Sequence, residues 1–114
     1  MTGAAKRKGD HAEREAATML TELLGIPARR KLGAGRLDDV GDIDGVPDTA
    51  VQVVSRATDV VAVGVVRKPT EAEAQAMNGG LRHSVVMLRV RGGTWRMVMT
   101  PESWATLWLQ AVKP

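Results

Sequence analysis

Apolar and polar positions change rhythm several times along this chain, and each rhythm predicts an element. In "GDHAEREAATMLTELLG", residues 9–25, Ala12, Ala16, Met19, Leu20, Leu23 and Leu24 recur at helical spacing and form one face. Gly25 supplies a C-terminal cap, and Pro27 forbids continuation. "ARRKL" is a short strand candidate, followed by the glycine-rich loop "GAGRLDD". "VGDID" and the β-branched "AVQVVSR" read as two further strands. The turn "GVPD" between them predicts antiparallel neighbours. "TDVVAVGVVRKP" is valine-rich, as strands are, yet it leads straight into the helix "TEAEAQAMNGG". We read it as a short helix broken at Pro69. "HSVVMLRVR", Gly92-Gly93 and "TWRMVMT" form a hairpin signature. The last segment, "TPESWATLWLQAV", is a helix with Thr100 as N-cap and Pro101 in its first turn. Trp104, Leu107, Trp108 and Ala111 make its apolar stripe.

The predicted order is α-β-β-β-α-β-β-α. It argues a mixed sheet flanked by helices, an α/β domain. At 114 residues the chain is expected to be one domain, 1–114, long enough to bury a single core. Aromatic residues are only 3%, all tryptophan, so Val, Leu, Ile, Met and Ala must build that core. The chain has no cysteine, which excludes disulfide frameworks, thiolate zinc sites and cysteine nucleophiles. No apolar run approaches the roughly 20 residues of a membrane helix. The basic N-terminus has no apolar segment behind it, unlike a secretory signal. These features fit a cytoplasmic protein without membrane contact.

Charge adds a second pattern. Residues 1–36 hold eight Lys/Arg against four Asp/Glu, residues 37–59 hold one Arg against six Asp, and residues 60–114 hold seven against three. An acidic centre between basic arms suits cation-assisted chemistry on a phosphodiester: basic groups hold the backbone and carboxylates hold the metal. It equally suits an Asp-rich loop region. Lys6, Arg7 and Lys8 fall just before the predicted first helix, where backbone N–H groups favour phosphate. Glu13 lies one turn inside that helix, at the edge of its apolar stripe. Arg29, Arg30 and Lys31 are consecutive, so in a strand they cannot all face one side. Asp42 and Asp44 share a strand face and repel unless a cation or a base lies between them. Gln52 and Val54 share a face of the third strand, and an amide on a core face needs a polar partner. Gln52 is therefore expected to look into a polar site beside Asp42. His11 and His83 are too isolated to form a metal cluster, and no Ser-His-Asp set, P-loop or zinc spacing is present.

Taken in order, "KRKGDHAERE" and a helix, "RRKLGAGRLDDVGDIDGVP", a β-strand and then "EAEAQAMNGG" resemble the Holliday junction resolvase branch of the PD-(D/E)XK nuclease superfamily, in particular its small phage and actinobacterial members. The resemblance covers roughly residues 6–80, and "GGTWRMVMTPESW" matches more loosely. It implies a restriction-endonuclease-like fold, a homodimer acting on branched or duplex DNA, and Mg²⁺ as cofactor. Glu13 and Asp42 match the family's metal-binding acids. Gln52 stands where the second metal-ligand acid belongs, and Val54 where the catalytic lysine belongs. A glutamine carbonyl can coordinate Mg²⁺ but brings no charge, and losing a positioned charged group costs about 10²–10³ in rate. Asp44 could make up the lost negative charge, and Arg56 or Lys68 the lost cation. Lys6, Arg7, Lys8, Arg29, Arg30, Lys31 and Arg36 are the expected phosphate contacts.

Three classes of function follow. The first is a resolvase-like DNA-binding protein in a bacterial or phage-infected cytoplasm, its hydrolysis weakened or lost by Gln52 and Val54. The second is a non-catalytic DNA- or protein-binding module of phage or mobile-element origin. The third is a small structural protein whose basic surface serves solubility.

Overall fold

Alternation along the two central strands decides the architecture. In the computed structural model, which describes residues 3–31, 41–56 and 61–113 (for 3–10 the backbone only), successive apolar side chains of these strands point to opposite faces, and a helix covers each face. Among the described residues the elements are α1 (Gly3–Leu24), β1 (Arg29–Arg30), β2 (Ile43–Asp44), β3 (Thr49–Arg56), a π-helical stretch (Val63–Arg67) running into α2 (Lys68–Asn78), β4 (His83–Val90), β5 (Thr94–Val98) and α3 (Pro101–Val112). The five strands form one mixed sheet in the order β1-β2-β3-β4-β5. β3 and β4 are parallel over their full length, Thr49 against His83 to Arg56 against Val90, and every other pair is antiparallel. The domain is α/β, as its hydrophobic rhythm predicts.

On one face Val51, Val85 and Met87 pack with Ile43 against Ala16, Ala17 and Leu20 of α1. On the other, Val54, Val86 and Leu88 pack against Ala72 of α2. Strands buried on both faces read as nearly continuous apolar runs, which explains "SVVMLRV". Both parallel strands need a crossover, and the π-helical stretch with α2 supplies it.

Two boundaries differ from expectation. α1 begins at Gly3, well before Gly9, so Lys6, Arg7 and Lys8 lie within the helix rather than ahead of its N-terminus. Ala4, Ala5 and the basic run are good helix formers, and Gly9 is tolerated inside. Pro69 does not break the second helix. The Lys68 N–H bonds the Val63 carbonyl five residues back, and Pro69, which has no N–H to place, sits in the first turn of α2. The turn after β2 depends on Gly45, whose φ is +100°. A Cβ there would meet the Pro27 carbonyl oxygen at 2.4 Å. Asp48, also at positive φ, ties this turn to the start of β4: its carboxylate accepts from the backbone N–H of Arg82 at 2.9 Å and from the Arg82 guanidinium. The Arg82 N–H and side chain hold the Asp48 carboxyl below its ordinary range.

Candidate functional site

Asp42 is set by the backbone around it. Gly41, at φ +110°, lies against the Val51 backbone, where a Cβ would sit 2.9 Å from the Val51 oxygen. This close approach lets the Asp42 N–H donate to the Val51 carbonyl at 2.7 Å. Its Oδ2 accepts from the Val53 N–H at 2.8 Å. The carboxylate does for Val53 what a neighbouring strand's carbonyl would do. One oxygen of the expected metal ligand is thus committed to finishing the β2–β3 ladder. Asp44, on the second strand, is exposed and paired in register with Arg29 of the edge strand β1. That places opposite charges across the strands, a favourable arrangement.

Gln52 does enter a polar site, but its partners come from α2. The residue is 8% exposed and lies on the same sheet face as Val54. Its amide hydrogen-bonds the Glu71 carboxylate. Glu71 also accepts from Lys68 Nζ at 2.9 Å and pairs with Arg67 at 3.3 Å. Lys68, foremost, holds the Glu71 carboxyl below its ordinary range, and the Gln52 amide and Arg67 act in the same direction. Gln52 Oε1 is buried without a hydrogen-bond partner. Lys68 therefore reaches the neighbourhood of Gln52 by way of Glu71. Arg56 does not fold back toward Val54: its guanidinium donates to the Ser55 carbonyl at 3.2 Å. Val54 itself is core, packed with Ala72, Val86 and Leu88.

The predicted ligand set is divided between the two faces. α1, which carries Glu13, covers the Val51 face, whereas Gln52 lies on the α2 face beside Glu71, an acid outside the predicted set. Among the described residues no three His, Cys, Asp or Glu side chains converge to hold a metal ion. Mg²⁺ wants near-octahedral oxygen ligands including one or two carboxylates. The buried Gln52 Oε1 is an oxygen a cation could satisfy. Yet the carboxylate beside it is already neutralised by an ammonium and a guanidinium, both of which repel a divalent ion. The Gln52–Glu71 cluster does not fit Mg²⁺.

A better-formed feature lies at the outer edge of α1. Arg14, Arg29 and Arg30 line an open groove of about 750 Å³ with Thr18, Thr21 and Glu22. The Thr21 hydroxyl fixes the groove's far wall, donating to the Ala28 carbonyl and accepting from the Ala28 N–H, each at 3.0 Å. Arg29 and Arg30 both reach this groove although they alternate, because β1 is only two residues long at the sheet edge. Lys31 continues the edge, its N–H donating to the Asp42 carbonyl at 2.8 Å. Arg36 and the side chains of Lys6, Arg7 and Lys8 lie outside the described residues. Arg14 was not among the expected phosphate-binding residues. Its signal is the spacing Arg14, Thr18, Thr21, which makes a polar stripe beside the apolar one. Three guanidinium groups and the Thr18 hydroxyl on one groove can donate to the oxygens of a sugar–phosphate chain, the Thr21 hydroxyl being committed to Ala28.

Two further titratable groups serve structural roles. His83 is buried, with Nε2 bonded to Gln110. Glu15 accepts from Trp95 Nε1 at 2.6 Å and Arg89 Nε at 3.3 Å, which clasps α1 to the β4–β5 hairpin. The Trp95 indole, foremost, holds the Glu15 carboxyl below its ordinary range. No helix among the described residues is long and apolar enough to cross a membrane. No family model matches the chain, and neither a curated protein nor a solved structure matches it.

Proposed function

We propose that this chain is a resolvase-like DNA-binding domain that holds branched or duplex DNA without hydrolysing it, acting as a homodimer in the cytoplasm of a bacterial or phage-infected cell. The observation that carries the reading is the groove where Arg14, Arg29 and Arg30 meet Thr18 and Thr21. Guanidinium groups suit phosphate because their planar forks match its oxygens. The sheet face behind it supports the loss of hydrolysis. Gln52 brings no charge, Glu71 is neutralised by Lys68 and Arg67, and Val54 is sealed in the core.

The test is retention of a labelled four-way junction and of a duplex across a salt series, with Mg²⁺, Mn²⁺ or chelator. Salt-sensitive retention without cleavage is expected. Arg29→Ala with Arg30→Ala should lower the slope of log affinity against log salt by about 0.9 for every duplex phosphate that the two guanidinium groups neutralise. Absence of retention at low salt overturns the DNA reading. Metal-dependent cleavage that disappears in Asp42→Ala overturns the loss of hydrolysis and restores an enzyme.

A further inference from the structure

α3 is inverted relative to the helices that build the core. Its inward hydrogen bonds are polar ties to the domain: Ser103 bonds Ser84 at 3.2 Å, Gln110 bonds His83, and Thr100 and Ser103 reach Glu73 at 3.2 and 3.3 Å, with Leu107 alone turned toward an apolar cavity over Leu20, Val51 and Val85. Its outward side is apolar. Trp104 is 55% exposed and Trp108 48%, with Leu107, Leu109 and Val112 also in water. The two indoles stack with centroids 6.4 Å apart. No residue of α3 is buried. A surface helix of a monomer places these faces the other way round. The patch continues past the helix: beside Leu107 an apolar cavity of about 230 Å³ runs from the buried Leu20, Val51 and Val85 out to Leu24 and Met97, which are themselves exposed.

We propose that a second copy of the chain docks on this face, the two α3 helices packing antiparallel about a twofold axis near Trp108. The area reaches the lower bound for a specific interface. Half-exposed side chains of this size present on the order of 500 Å² of apolar surface per copy, so two copies bury about 1,000 Å² between them. The charges fix the direction. Glu102 opens α3 and Lys113 follows its last turn, with no charged residue between them. Antiparallel packing brings Glu102 of each copy toward the partner's Lys113 at both ends, whereas parallel packing sets like charges together. Covering the stretch between them buries no charge. The same centre places Trp104 against the partner's Val112, a large side chain over a smaller one. An isologous contact of this kind closes on itself.

This docking deepens the proposed reading and rests on it only in its assembly clause. Sedimentation equilibrium of the full chain across the micromolar range is expected to give a dimer. Trp104→Glu with Trp108→Glu is expected to halve the mass while far-ultraviolet circular dichroism stays unchanged. Glu102→Lys is expected to weaken association several-fold, and Lys113→Glu in the same chain to restore it. This charge pair reads the interface even if the double tryptophan variant fails to fold. A wild-type monomer at every concentration overturns the proposal, as does a dimer that survives both tryptophan substitutions or a charge swap that is not rescued. A monomer that still retains DNA overturns the docking and leaves the DNA reading standing. A dimer that retains no DNA does the reverse.

Discussion

α1 and α3 both carry an apolar stripe at helical spacing, and the fold uses the two in opposite ways. On α1 the stripe is small where it meets the sheet. Ala12 and Ala16 are buried and let the helix lie close to Val51 and Val85, with Leu20 closing the contact. On α3 the stripe holds two tryptophans and looks outward, while serine, threonine and glutamine face the domain. The difference teaches that periodicity defines a face but not its direction. Direction depends on what the receiving surface offers. The surface under α1 is a row of Val, Ile and Met side chains. The surface under α3 is the start of β4, where His83 and Ser84 need polar partners.

The sharpest way to break this contrast is to load a covered face with charge. Val54 is enclosed by Ala72, Val86 and Leu88. Val54→Lys leaves an ammonium without a partner there, at a cost of about 3–5 kcal/mol. Urea denaturation is expected to show a largely unfolded protein. The double change Gln52→Glu with Val54→Lys should fare no better, since the new carboxylate sits beside Glu71, and it should not create cleavage. Next in size is truncation under α1. Leu20→Ala is expected to cost about 2–5 kcal/mol at any protein concentration. Trp108→Ala, a larger deletion, should behave differently: it should abolish the rise of stability with protein concentration expected of a dimer and change the concentration-independent part by about 0.5 kcal/mol or less.

Acid separates the two helices by another route. Glu15 clasps α1 to the hairpin through Trp95 and Arg89, and its carboxyl is held below the ordinary value of 4.5. A depressed acid contributes stability that is complete above its unfolded value and is lost as pH falls through its folded value. Glu71 and Asp48 have the same sign. The urea midpoint is therefore expected to be level near neutrality and to drop below about pH 4.5. Glu15→Gln should flatten part of that drop. A variant whose midpoint follows the wild-type acid profile throughout would show that the clasp contributes nothing.

Much of the fold was legible in the chain because local chemistry and global packing agree. The turn glycine Gly45, the Gly92-Gly93 hairpin and the Thr100-Pro101 start each satisfy a requirement of one backbone segment. The extent of α1 was less legible, since Gly9 looks like a boundary and helix formers on both sides override it. The site was legible only in part. Alternation puts Gln52 with Val54 and predicts a polar partner, but it cannot say which helix covers that face. Glu71 sits in "TEAEAQAMNGG" with Glu73 two residues on. Only the crossover geometry makes Glu71 meet Gln52 and Lys68, while Glu73 turns to Thr100 and Ser103. Asp42 was found as a residue and not as a role, because its bond to the Val53 N–H depends on the Gly41 backbone.

The smallest effect concerns how α3 is held without burial. Thr100 accepts from the Ser103 N–H at 3.0 Å and donates to Glu73 at 3.2 Å, so one hydroxyl caps the helix and ties it to α2. Thr100→Ala removes both and leaves a first-turn N–H of α3 without its acceptor. Loss of such a cap costs about 1 kcal/mol. On α1 a change of that size would be absorbed by the apolar contact beneath. On α3 only Leu107 offers an apolar side chain on the inward side, across a cavity rather than in a packed contact, so the helix itself should loosen first. Hydrogen exchange is expected to rise across Pro101–Val112 while β3 and β4 keep their protection. Uniform loss of protection across the domain would mean that α3 is bound to the core as firmly as α1, and the contrast between the two helices would fail.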